Sequence, residues 1–194
     1  LSAVLAVAGP SADAQSDWNQ VGPDIDGAAG GDLSGRSVAT NALGDRVIIG
    51  AHLNDANGVN SGQARVYQLN DAGAGAQFGQ DINGEAGGDF SGRSVAMNAA
   101  GDRVIIGATL NDGNCNLSSH ARVYQLNDAG AWVQVGRDIN GENADDASGL
   151  SVAMNASAPT GDIGAAGSAC AHALAVVSSR AYSPPMHTAI LLMC

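Results

Sequence analysis

One unit of sequence is written twice almost verbatim and then begun a third time, each copy starting 57 residues after the last. The stretch from Asp24 to Asp71 aligns without gaps on Asp81 to Asp128, with about three-quarters of the positions identical, and a third copy opens at Asp138-Ile139. A period of this kind marks a repeat architecture. Each unit is one supersecondary module that cannot bury both faces by itself and must stack on its neighbours.

Each unit holds four apolar runs. The first is Ser37 to Asn41, repeated as Ser94 to Asn98, and the second is Arg46 to Ala51, repeated as Arg103 to Ala108. The third is Ala64 to Leu69, repeated as Ala121 to Leu126. The fourth is clearest at Trp132 to Gly136, with weaker relatives at Trp18 to Gly22 and Gly75 to Gly79. These runs are short, rich in β-branched residues and bounded by Gly, Asn and Asp, which is the pattern of strands joined by tight turns. The second run is apolar at nearly every position, as expected of a strand covered on both faces. The third alternates and is expected nearer an edge. No segment of comparable length carries the helical period.

The expectation is an all-β chain, specifically a partial β-propeller of four-stranded antiparallel blades, with about two and a third blades present. A calcium-binding β-helix is rejected. Gly30-Gly31-Asp32-Leu33-Ser34-Gly35 faintly matches its nonapeptide, but that unit must run in tandem and here occurs once per 57 residues. Aromatic residues make up only 4% of the chain. A core of Ala, Val and Ile packs thinly, so neighbouring modules must cover much of each sheet.

The quoted residues also resemble a known family. Phe90-Ser91-Gly92-Arg93-Ser94-Val95-Ala96, the Gly101-Asp102 turn, Val104 to Ala108 and Arg122-Val123-Tyr124 are similar, in order and spacing, to the FG-GAP repeat of integrin-α-type propellers. The resemblance covers about residues 18 to 157. It implies the propeller fold and a recognition role. The family's Phe-Gly is Leu33-Ser34-Gly35 in the first copy, its Gly-Ala-Pro proline is replaced by His52 and Thr109, and its calcium loop after the first strand is missing.

Three regions are expected. Residues 1–14, apolar and then Gly9-Pro10 and Ala12-Asp13-Ala14, look like the remnant of a secretory signal peptide. This run is too short to span a bilayer. Residues 15–157 carry the repeats. The pattern stops after Ala156, and residues 158–194 form a divergent tail, read as a gene-model artefact with a disordered or capping segment as the alternative, so that the expected natural protein has more blades. If the chain ends here, its open sheet faces favour self-association. Cys115, Cys170 and Cys194 follow no metal spacing.

The net charge of −11, with 8 Lys+Arg, argues against nucleic acid and against an anionic membrane surface. Asp55, Asn57, Asp112 and Asn114 place side-chain oxygens at alternating loop positions and are a candidate calcium site, the alternative being Asx turns that cap their own backbone. No other cofactor is indicated. Asp32, Asp89 and Asp145, with Glu85 and Glu142, recur in the connection between units, and repetition argues for a structural role rather than an active site. Arg36 and Arg93 are expected to tie adjacent units through charge-assisted bonds. Trp18 and Trp132 are expected in the core rather than stacked on a sugar. His52, His120, His172 and His187 form no metal motif.

The function expected is a secreted or cell-surface, non-catalytic recognition module. It would bind a protein or glycan through the loops that differ between copies, Asp55 to Gly62 and Asp112 to Ser119. The alternatives are a fragment of a propeller enzyme, such as a polysaccharide hydrolase or lyase with its site on other blades, and a calcium-stabilised spacer.

Overall fold

A computed structural model describes residues 20, 22–71, 73–112, 117–155, 174–176 and 190–192. The described residues form strands and no helix. β1 (Ser37–Thr40), β2 (Arg46–Ala51), β3 (Gln63–Leu69) and β4 (Gly75–Gln77) make one antiparallel sheet in that spatial order. β5 (Ile82–Asn83) also pairs with β3. The second copy repeats this with β6 (Ser91–Met97), β7 (Arg103–Ala108), β8 (His120–Leu126), β9 (Trp132–Gln134) and β10 (Ile139–Asn140). β11 (Val152–Met154) pairs in parallel with β12 (Leu174–Val176), which pairs antiparallel with β13 (Ile190–Leu192).

Each full sheet therefore has four strand positions, the outermost split in two. β4 pairs with the end of β3 at Tyr67 to Leu69, and β5 pairs with its start at Gln63 and Ala64. The expected four runs are all present. The short strand after the fourth run is an addition, and β3 is interior, flanked by β2 on one side and by β4 and β5 on the other.

The turns follow from their sequence. Asn41 Oδ1 accepts the Arg46 amide at 3.1 Å while its Nδ2 donates to Asp45 Oδ1 at 2.6 Å. Asn98 makes the same pair of bonds with Arg103 and Asp102. An Asn and an Asp four residues apart thus close the hairpin from both ends around a left-handed glycine, Gly44 at φ 71° and Gly101 at φ 72°.

The two sheets pack face to face. One face of the first sheet, with Ile48, Ala64, Val66 and Ile82, meets the face of the second that carries Val95, Met97, Val104, Ile106 and Trp132. The other face of the second sheet, with Ile105, Ala121, Val123 and Ile139, meets Val152 and Met154, the start of the third copy. Sandwiched on both sides, all six residues of β7 are buried. β2 has the same sequence but only one covered face, so its Val47 and Ile49 are half-buried. The expectation that the second run is covered on both faces holds for the middle unit.

Close approach sets the sequence at the seams. A Cβ on Gly50 would collide with the carbonyl oxygen of Gly92, and one on Gly107 with that of Gly149. Any side chain at these two positions would push the modules apart.

Candidate functional site

The seam between the first and second sheets gathers most of the polar chemistry. Ser37 Oγ donates to the Gly92 carbonyl at 2.8 Å, and Ser94 Oγ repeats the bond to Gly149 at 2.6 Å. The Ser-Gly-Arg-Ser segment does join adjacent units, but through its second serine and its glycine. The expected role for Arg36 and Arg93 is corrected here: neither guanidinium forms an ion pair or side-chain hydrogen bond among the described residues. Both residues follow tight turns, Arg36 N to Leu33 O and Arg93 N to Phe90 O, and their side chains line an open cavity between the copies instead.

Other contacts seal the same seam. Arg46 stacks on the Phe78 ring with its guanidinium carbon 4.3 Å from the centroid, and donates to the Gly101 carbonyl at 3.0 Å. Trp132, 3% exposed, donates from Nε1 to the Phe78 carbonyl, and its backbone is bracketed by the Gln80 amide. It is the core aromatic expected. Trp18 lies outside the described residues.

The repeated carboxylates are internal struts. Asp32 Oδ2 accepts the Ala29 amide at 3.1 Å and Asn54 Nδ2 at 2.7 Å. Asp89 Oδ2 does the same with Ala86 and Asn111. In the third copy this role falls to Asp146, which accepts the Asn143 amide at 2.7 Å, and not to Asp145. Asp145 occupies a left-handed position (φ 62°) held by Gly31 and Gly88 in the earlier copies.

The loop residues read as cation ligands divide their work. Asp55 Oδ1 accepts the Asn60 amide and Asp112 Oδ1 accepts the Leu117 amide, both at 2.8 Å, so each closes its own loop. Asn57 turns its amide nitrogen to the Gly84 and Glu85 carbonyls, both at 2.8 Å, pinning the loop to the connector. Asn114 lies outside the described residues, as do Cys115, Cys170 and Cys194. Asp55 and Asn57 share one loop, while Asp112 lies in its counterpart one copy on.

A further cluster was not visible as a motif. Glu85, His120 and Asp138 bring ligand-type atoms within 4.8 Å of one another. Arg122 sits among them, 2.6 Å from Glu85 Oε1 and 2.6 Å from Asp138 Oδ2. Burial opposes the charge on Arg122, but bonds from Asp138 and Glu85 outweigh it and hold the guanidinium above its ordinary range. The Arg122 bond, aided by Gln134 and opposed by burial, keeps Asp138 below the usual carboxylate range. Arg65 and Asp81 repeat the pair in the first unit at 2.9 Å.

His120 replaces Gln63 of the first unit. Gln63 Nε2 donates to Asp81 Oδ2 at 3.1 Å and Asn83 Oδ1 at 2.8 Å. His120 makes neither bond: its Nδ1 and the Oδ1 of Asn140, the counterpart of Asn83, are buried without partners. Burial, then Arg122, push the imidazole below its ordinary value, against the pull of Asp138, Glu85 and Asp89. The one sequence signal was the Gln-to-His change within an otherwise matched strand.

No protein-family model matches the chain, and no curated protein matches it. No helix among the described residues is long and apolar enough to cross a membrane.

Proposed function

We propose that the chain is part of a β-propeller of the FG-GAP type and serves as a non-catalytic recognition module outside the cell, binding a protein or glycan partner. The observation that carries this reading is where the copies differ. Twelve of the 48 aligned positions between Asp24–Asp71 and Asp81–Asp128 are not identical, and six of those twelve lie between 56 and 63. The first of these loops is anchored at the base by Asp55 and Asn57 yet exposed at the tip, where Val59 is 72% exposed. A fixed scaffold carrying variable loops suits recognition. Four strand positions per unit and face-to-face stacking of successive units support blades. The repeated carboxylates Asp32 and Asp89 are spent on backbone amides and asparagines, which supports a non-catalytic reading.

The test exchanges residues 55–62 with residues 112–119 between the two units and screens both chains against a glycan array and immobilised extracellular proteins. Altered or lost recognition with retained folding is expected. An unchanged binding profile would remove the loops from the account.

A further inference from the structure

An open cavity of about 660 Å³ is lined by residues of all three copies and by none of residues 55–62 or 112–119. Leu33, Phe90 and Leu110 wall it, and Arg36, Arg93 and His52 supply its polar groups. Leu33 and Phe90 hold left-handed backbone, φ 52° and φ 54°, a conformation that bulky side chains rarely adopt and that costs on the order of 1 kcal/mol. A chain with 27 glycines keeps a large apolar side chain at these two positions. The turn each one starts delivers the arginine three residues on. In the second unit a register shift between Ser91 and Ser94 lifts Gly92 and Arg93 off the ladder, and such bulges re-aim side chains.

The arginines are unusual for this protein. The chain has 19 acidic residues against 8 Lys+Arg, and Arg65 and Arg122 are both paired with carboxylates. Arg36 and Arg93 are not, among the described residues. His52, only 8% exposed, stands edge-on to Phe90 at 6.0 Å and has no partner for its Nδ1. Burial, then Arg93 and Arg36, lower its proton affinity, and all three side chains line the one cavity. A buried polar atom without a partner calls for a group from outside.

We propose that this cavity binds an organic carboxylate, with the anionic head between Arg36 and Arg93 and within reach of His52, and an apolar body against Leu33, Phe90 and Leu110. A guanidinium fork matches a carboxylate. The leucine and phenylalanine walls offer few donors for a sugar and suit an alkyl group instead. The cavity continues to the third copy, where Thr109 stands for His52 and Leu150 for a third arginine, so its charged groups gather at the end formed by the first two copies. It shares no residue with the loop tips, so it stands or falls separately from loop recognition.

The test titrates the full chain with N-acetyl-leucine, a mimic of a peptide carboxyl end, and with octanoate, a free amphiphile, using N-acetyl-leucinamide and octanol as neutral controls. Calorimetry is expected to show saturable binding of at least one acid at millimolar concentration or below, and none of its neutral partner. Tighter binding of N-acetyl-leucine identifies a peptide carboxylate as the source, and tighter binding of octanoate a free amphiphile. Arg36→Gln with Arg93→Gln should weaken binding at least about tenfold, while Arg137→Gln, which removes an exposed charge elsewhere, should change it less than about twofold. Circular dichroism confirms that the variants fold. The proposal is overturned if neither acid saturates by about 10 mM, if acids and neutral controls bind alike, or if the double variant binds like the parent.

Discussion

His120 is the residue where the repeat departs from itself at a cost. The glutamine it replaces satisfies two acceptors, whereas the imidazole leaves its own Nδ1 and Asn140 Oδ1 unbonded. Restoring the repeat by His120→Gln should stabilise the fold by about 1 kcal/mol at neutral pH, read as the urea midpoint. Acid should enlarge the gap. The ring is held below its ordinary value of 6.5, so below that pH the unfolded chain takes a proton the folded chain resists. Stability from this group is complete above 6.5 and declines as pH falls. Asp81 and Asp138, depressed from 3.8 by their arginines, act in the same direction further down, their contribution being lost as pH drops through the lowered values. Between about pH 7.5 and about pH 5.5 the parent should therefore lose more stability than His120→Gln, and parallel profiles would show that His120 carries no such penalty.

At the scale of elements, equal sequence gives unequal burial. Val38 and Val95 occupy the same place in β1 and β6, yet Val38 is 59% exposed and Val95 is 8% exposed, because only the second has a neighbouring sheet over it. Val95→Ala should cost about 2 kcal/mol and Val38→Ala less than about 0.5 kcal/mol, measured by urea denaturation. Equal losses would mean that another surface covers β1. The main strands were legible because β-branched runs and Asn-x-x-Gly-Asp turns are local signals. β5 and β10 were not, since two residues carry no period and their pairing depends on where β3 and β8 sit. The roles of Asp32 and Trp132 as structural groups could be argued from repetition and residue type, whereas Asp55, from sequence alone, is a candidate calcium ligand with a capping turn as the alternative. The aim of Arg36 and Arg93 could not, because it depends on a left-handed turn and, for Arg93, on a bulge whose register only the paired strands define.

The whole molecule is a stack whose layers share backbone. The Ala42 amide reaches the Ala99 carbonyl at 3.1 Å, and the Phe90 and Ser91 amides reach Asn60 and Ser61 at 3.1 Å each. These bonds join one unit to the next, and the seam they close carries the cavity and the base of the variable loop. Amide hydrogen exchange on the full chain tests this most directly. The amides of Ala42, Phe90 and Ser91 should be protected to nearly the degree of Ile105 in the middle strand β7, opening with the sheets as one unit. Fast exchange at all three, with β7 still protected, would show two sheets that fold without docking and would contradict the stacked architecture on which the proposed recognition site is built.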